Sequence, residues 1–329
     1  MSGEDFSGDK LLEVRDLRVA VDVRDRCLPI IKGVNLSLSP GETLGVVGES
    51  GAGKSVFGGA VAGLLEPPIR KTGGEVYLNG QRIDNLSGDQ MRRLRGASIG
   101  MVFQDPLTSL DPLFSVGDQL IETIRTHKDM SRVNARARAL DLLKATGIPA
   151  AEQRIDDYPH QFSGGMRQRV VLALALCADP KLLIADEPTT ALDVSVQAQI
   201  IGLLARLCRE HGTSVILITH DMGVIAEACD NVAVMYAGRV VEYGPTRDII
   251  RNPRHPYTRG LMASIPPLHE RPARLQQIDG AMPRVGLDIS GCEFRARCPM
   301  ALDKCADDVP WLIGDDKRSS ACWLEEEAV

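Results

Sequence analysis

Hydrophobic residues along this chain change their spacing several times, and each change marks an element. Val19, Val21 and Val23 alternate with Ala20 and Asp22, and Val34, Leu36 and Leu38 alternate with Asn35 and Ser37. Alternation at period two predicts half-covered strands, so residues 11–47 read as β structure. The turn Ser39-Pro-Gly41 leads into Thr43-Leu-Gly-Val-Val47, which is apolar throughout, as in a parallel strand buried on both faces. Two more such runs follow: Lys181–Ala185 ends at Asp186, and Ser214–Thr219 ends at His220. Between Gln104 and Ser163 the spacing turns helical, at Val116, Leu120, Ile121 and Ile124 and again at Ala139, Leu142 and Leu143. A helical insert in an α/β core is expected there. After about residue 250 the chain becomes rich in Pro and Arg and ends in four clustered cysteines, which predicts a separate C-terminal module.

Composition narrows the class. The chain has 329 residues, is 44% hydrophobic and carries a formal net charge of −6. The longest apolar run, Val170 to Ala178, is far short of the roughly 20 residues a membrane-spanning helix needs. The first residues are polar and acidic rather than basic and then apolar, so a cytoplasmic location is expected. The acidic balance argues against nucleic acid as a partner, and the basic stretches Arg92–Arg95 and Arg132–Arg138 read as solvated helix faces.

The candidate chemistry sits at the ends of the apolar runs. Gly48-Glu-Ser-Gly-Ala-Gly-Lys-Ser55 fits a phosphate loop. Its glycines, Gly48, Gly51 and Gly53, let backbone amides approach phosphates alongside Ser50. Lys54 reaches the β and γ oxygens, Ser55 ligates Mg²⁺, and Val56 continues into the helix. Asp186 ends a buried strand, where a carboxylate can position Mg²⁺. Glu187 beside it can polarise an attacking water, and the His220 imidazole can contact a γ-phosphate. Ser163-Gly-Gly165 opens an apolar helix with a serine cap and exposed amides, a second anion-binding end that a single ATP does not need in the same chain.

In this order, Gly48–Ser55, Gln104, Phe162–Arg169, Asp186-Glu187, Ala191-Leu-Asp193 and His220 resemble the nucleotide-binding subunits of ABC transporters. The resemblance implies an α/β fold, an ABC-type P-loop nucleotide-binding domain with a RecA-like core, an antiparallel β part and a helical subdomain. That domain would span 1–250, its helical subdomain about 105–162, and a small cysteine-bearing extension 251–329. It implies ATP and Mg²⁺ as cofactors, with Ser55, Gln104 and Asp186 at the metal and Glu187, His220 and Gln104 in hydrolysis. Two such domains would face head to tail. Ser163, Gly164, Gly165 and Met166 of one would then touch the ATP on the other's phosphate loop, and Asp193 would lie in a loop crossing the interface. The usual adenine-stacking ring is missing, since no aromatic residue occurs between Phe6 and Phe57; Val21 or Val23 takes its expected place.

Asn252–Ser264, Pro266-Pro267, Phe103–Pro112 and Tyr158–Arg169 resemble dipeptide and oligopeptide importers more narrowly. That implies a second, homologous ATPase subunit, two transmembrane permease subunits and an extracytoplasmic binding protein, with this chain on the cytoplasmic face of a bacterial inner membrane. Nickel-chelate and glutathione importers share the style. A soluble non-transport ABC protein is the reading from another class, but it would show tandem cassettes or a coiled-coil insertion. Cys292, Cys298, Cys305 and Cys322 do not have zinc-ribbon spacing. Clustered thiols in a cytoplasmic protein suit zinc, an iron–sulfur cluster or no metal. The resemblance favours a [4Fe–4S] cluster that pins the extension, with redox sensing second. Cys27, Cys177, Cys208 and Cys229 are expected to be buried and inert.

Overall fold

The computed structural model describes residues 10–190, 192–265, 277–315 and 317–326. The polar stretch before Lys10, Ala191 and the Pro266-Pro267 pair lie outside them.

Alternation produces the first layer. Strands β1 (Leu12–Val23) and β2 (Arg26–Leu38) form an antiparallel hairpin, with Leu12 opposite Leu38 and Val21 opposite Leu28. β4 (Ile69–Leu78) lies along the other side of β1, and the short β5 (Gln81–Arg82) completes a four-stranded sheet. The apolar runs produce the second layer. β3 (Thr43–Val47), β6 (Ile99–Val102), β7 (Leu182–Asp186), β8 (Ser214–Thr219) and β9 (Asn231–Tyr236) are parallel, in the order β9-β3-β8-β7-β6. Every residue of β7 and β8 is buried. Leu182, Ile184, Ile216 and Ile218 pack towards the antiparallel sheet and the Lys54–Val61 helix. Leu183, Ala185, Val215 and Leu217 pack towards the helices Val116–His127, Arg132–Ala145, Gly164–Leu176 and Val194–His211. The helical spacing read from the sequence is therefore the spacing of that second face: Val116, Leu120, Ile121, Ile124, Ala139, Leu142 and Leu143 are all buried in it.

The sheet continues past β9 through antiparallel β10 (Arg239–Pro245) to β12 (Ser319–Ser320) and β11 (Ile313–Gly314). Residues after 250 thus extend the same sheet, and Tyr257 and Phe294 share a buried cluster with Val47, Val234 and Tyr236. The two layers meet at Gly238. Its φ of +84° suits glycine, and an added Cβ would stand 1.9 Å from the Ile30 carbonyl oxygen. The basic stretch Arg132–Arg138 is charge-paired: Arg132 with Asp118, Arg136 with Asp156 and Arg138 with Asp179.

One carboxylate anchors the antiparallel layer. Asp84, only 3% exposed at its side chain, accepts from Lys71, from Arg82 Nε at 3.1 Å and from the Val76 amide at 2.8 Å. Burial pushes its carboxyl up, but the bonds from Arg82, Lys71 and Val76 outweigh burial and bring it to about 2. An unfolded aspartate titrates near 3.9, about two units higher. The stabilisation is therefore complete above about pH 4 and is lost as pH falls through 2. Asp84→Asn is expected to cost about 2 kcal/mol at pH 7 in urea denaturation and to flatten the loss of stability between about pH 4 and 2. Equal acid slopes in both proteins would place that stabilisation elsewhere.

Candidate functional site

The strand register decides which side chains meet. Val47 pairs with Thr219, and Asp186 with Ile218, so the residues following β3, β7 and β8 emerge side by side at one edge. The phosphate loop leaves β3 there. Gly51 and Gly53 take φ of +85° and +100°, which turns the loop tightly into the Lys54–Val61 helix. Ser50, Gly51 and Ser55 are exposed along the rim. The first amides of a helix have no intrahelical acceptor, so they are available to an anion. Lys54 is 6% exposed, and its Nζ donates to the carbonyls of Gly48 at 2.8 Å and Glu49 at 3.1 Å. Burial pushes its ammonium down, against the charges of Glu187, Asp186 and Glu49. Ser55 Oγ donates to Asp186 Oδ1 at 3.0 Å. Burial pushes Asp186 up, helped by the Glu187 charge and opposed by the Ser55 bond and by Lys54. A polyphosphate beside Lys54 and a divalent cation beside Ser55 and Asp186 would relieve both groups, so the donor set fits Mg²⁺ and a nucleotide.

Glu187 stands at the centre of a second group. Gln104 Nε2 donates to its Oε2 at 3.2 Å and Thr190 Oγ1 to the same atom at 3.0 Å, while His220 Nδ1 lies 3.2 Å from Oε1. The Glu187 backbone has φ of +45°, an uncommon conformation for a residue with a Cβ, and its amide donates to the Ile218 carbonyl at 2.9 Å. Burial pushes the carboxyl up, but the bonds from His220 and Thr190 and the charges of His220 and Lys54 leave it lowered overall. The carboxylate is therefore held ionised, with oxygens that can orient a water by accepting its hydrogen bonds. Gln104, Glu187 and His220, all singled out from sequence, thus come together. Thr190 is an addition that no sequence signal marked.

Ser163 and Asp193 lie in another patch. Ser163 is exposed and caps the Gly164–Leu176 helix by accepting from the Met166 amide at 3.4 Å. Asp193 caps the Val194–His211 helix, accepting from the Val196 amide at 2.9 Å. The two caps adjoin, since an added Cβ on Gly165 would stand 2.9 Å from Val196 Cγ1. Among the described residues no hydrogen bond or ion pair joins this patch to Lys54, Ser55, Asp186 or Glu187.

Beside Gly51, a cavity of about 410 Å³ is lined by Leu28, Ile30, Ala237, Val285 and Leu287. These belong to β2, the β9–β10 turn and the segment after 280. Val21 and Val23, expected in the place of an adenine-stacking ring, are not part of its lining. The four C-terminal cysteines do converge: Cys292, Cys298, Cys305 and Cys322 line one small cavity with Phe294 and Trp323, and the Cys292 amide donates to the Cys305 carbonyl at 2.9 Å. Among the described residues, however, no three His, Cys, Asp or Glu side chains are grouped so as to hold a metal ion. The expected cluster site is a shared cavity, not a formed ligand cage. Cys177 and Cys208 are buried, with thiols pushed up to about 12 by burial, and Cys229 is partly buried and pushed up likewise. Cys27 is exposed at the β1–β2 hairpin, contrary to expectation, because the end of that hairpin projects beyond the core.

Known proteins show the same organisation. The family model described as ABC transporter matches residues 31–190, and that described as oligopeptide/dipeptide transporter, C-terminal region, matches 241–305. The chain is 46% identical to the dipeptide transport ATP-binding protein DppD of Bacillus subtilis over 97% of its own length and 96% of the relative's. It is 48% identical to the oligopeptide transport ATP-binding protein OppD of Salmonella typhimurium over 96% and 94%. Among solved structures, the dimeric ATP-binding cassette MJ0796 bound to ADP and Pi superposes with a TM-score of 0.65 at 30% identity, over 72% of this chain and 99% of that one. With relatives of this identity along almost its whole length, a phosphate loop at the strand edge and a polarised carboxylate beside it, the chain belongs to the ABC transporter family as one of its ATP-hydrolysing cassettes.

Proposed function

We propose that this chain hydrolyses ATP to drive import of dipeptides or oligopeptides, acting from the cytoplasmic face of a bacterial inner membrane. The carrying observation is the Glu187 cluster at the phosphate loop, in a chain whose C-terminal region matches a peptide-transporter model over 241–305. Among the described residues no helix is long and apolar enough to cross a membrane; in this reading the passage itself belongs to permease subunits. In this reading Gly48, Ser50, Gly51, Gly53, Lys54, Ser55 and Val56 hold the triphosphate. Ser55, Asp186 and Gln104 hold Mg²⁺ and its waters. Glu187 takes the proton of the attacking water, and His220 contacts the γ-phosphate.

The second anion-binding end then belongs to another site. Ser163, Gly164, Gly165, Met166 and Asp193 would face the nucleotide of a second, homologous ATPase subunit, in a head-to-tail pair carrying two permeases and served by an extracytoplasmic peptide-binding protein. The exposure of Ser163 favours this arrangement. We take residues 1–250 as the nucleotide-binding domain, with about 105–162 as the part that moves against the permeases, and 251–329 as an extension. For the extension we infer a [4Fe–4S] cluster on Cys292, Cys298, Cys305 and Cys322. Soft thiolates suit iron–sulfur chemistry, and the four cysteines line a common cavity. When bound, such a cluster would pin the segment by coordination.

Glu187→Gln is nearly isosteric, keeps one oxygen to accept from Gln104 and Thr190, and removes the base. Mg·ATP affinity should stay within about threefold of wild type while kcat falls by about 10² to 10⁴. In a deletion strain, labelled peptide uptake should return with wild type and not with this variant. Turnover at the wild-type rate would remove Glu187 from the role of base, and uptake of nickel chelate or glutathione in place of peptide would overturn the cargo.

Protein purified without oxygen should contain iron and acid-labile sulfide in equal amounts, both lowered by Cys298→Ser. Protein that contains zinc, or neither iron nor sulfide, would refute the cluster.

A further inference from the structure

The sequence of the phosphate loop carries a charge that phosphate binding does not call for. Glu49 places a carboxylate beside the polyphosphate site, where it would repel the ligand unless neutralised. Its neutralising partner comes from 248 residues away. Arg297 Nη1 donates to Glu49 Oε2 at 2.7 Å and Nη2 to Oε1 at 2.9 Å, a two-pronged pair in which the arginine side chain is 6% exposed. The remaining donors of the guanidinium are also used: Nε on the Asp279 carbonyl at 2.9 Å, Nη2 on the Ile278 carbonyl at 3.3 Å and Nη1 on the Tyr236 hydroxyl at 3.5 Å. Five N–H groups thus meet five acceptors, so the fork has one orientation. The backbone of Glu49 is held from the same region. Its amide donates at 2.9 Å to the hydroxyl of Tyr257, a fully buried ring packed against Tyr236 and Phe294. Its carbonyl accepts from Lys54 Nζ. The residue that grips the catalytic-site lysine is therefore itself gripped, at side chain and amide, by the C-terminal extension.

We propose that Arg297 is a positioning residue for the nucleotide site: together with Tyr257 it neutralises and fixes Glu49, so that the C-terminal extension sets the affinity of the phosphate loop for ATP. The proposal rests on the reading of Gly48–Ser55 as the nucleotide site. It assigns the extension a direct part in ATP binding, transmitted through a side chain adjacent to Cys298. Arg297 touches neither phosphate nor water in this scheme, so its effect falls on binding.

The test is a double-mutant cycle on the full chain, read by calorimetric titration with Mg·ADP and by steady-state ATP hydrolysis. Arg297→Gln should weaken Mg·ADP binding and raise KM for ATP by about tenfold, with kcat changed less than about twofold, because it leaves the Glu49 charge facing the phosphates. Adding Glu49→Gln to Arg297→Gln should recover most of the lost affinity, since the repelling charge is then gone. A merely structural arginine would not be rescued by removing its partner. Tyr257→Phe, which deletes one hydroxyl from a ring that stays buried, should weaken Mg·ADP by about threefold and gives a reading should Arg297→Gln not fold. Wild-type affinity in both Arg297→Gln and Tyr257→Phe would overturn the proposal, as would a double variant no better than Arg297→Gln. Failure of the wild-type chain to bind Mg·ADP would overturn the nucleotide reading beneath it.

Discussion

The site depends on the two-sided burial of three parallel strands. β7 and β8 are covered by the antiparallel sheet and the Lys54–Val61 helix on one face and by the long helices on the other, while β3 shares the first face through Leu44 and Val46 and turns Gly45 and Val47 towards the Met222–Ala228 helix. A charge cannot be accommodated along them, so chemistry can appear only where they end. A one-residue slip of β7 against β8 would exchange Ile184 and Ala185 between the two faces and draw Asp186 inwards. The cost of that slip keeps Ser55, Asp186, Glu187 and His220 within hydrogen-bond reach although they come from three separate stretches of chain. Core packing and catalytic geometry are the same constraint seen from two ends.

The phosphate loop is held from more directions than its own helix supplies. Gly238 presses the β9–β10 turn against β2 and donates its amide to the Ala52 carbonyl at 3.0 Å. Lys54 closes the loop from within, and Arg297 and Tyr257 close it from the C-terminal side. The third hydrophobic cluster explains how distant sequence gains that access. Tyr236, Tyr257 and Phe294 pack edge to face at the end of β9, placing the segment after residue 290 over Glu49. The strand pair β11–β12 then ties the tail to β10. The buried aromatic packing brings the extension to the loop, and the ion pair sets its orientation once there.

How much of this is legible in sequence follows from the range of each interaction. Alternation around Val19 and Val34, the unbroken apolar runs into Gly48, Asp186 and His220, and the helical spacing from Val116 to Leu143 are local patterns, and the structure has strands and helices where each is read, except that a register shift after Val19 buries Ala20 and leaves Val23 exposed. The clustering of Gln104 with Glu187 and His220 was legible only through the resemblance to ABC cassettes, since Gln104 lies 83 residues from Glu187. The Arg297–Glu49 pair had no signal, because a single arginine in a Pro- and Arg-rich tail carries no period and no motif. Thr190 has no signal for the opposite reason: a threonine three residues after a carboxylate is too common to mean anything without its 3.0 Å bond to Glu187. The strands β11 and β12 are too short to show alternation. Cys27 is exposed although its residue type favours burial, because its place in the hairpin decides its environment.

Two anion-binding ends on one chain impose a final constraint. Lys54 with its loop and Ser163 with its helix both present unsatisfied amides, yet the described structure connects them by no polar contact. The Ser163 patch is fixed to the long helices through Gly165 and Val196, so it cannot fold back onto the loop without unpacking Val170, Val171 and Leu172 from the core. Closing a site that uses both ends is therefore cheaper between two molecules than within one. In the pair proposed above, pairing Glu49 with Arg297 keeps the Glu49 charge from offsetting that of Lys54 before the partner arrives. The neutralisation of Glu49 is made within a single chain, and through the segment that distinguishes this chain from a minimal cassette.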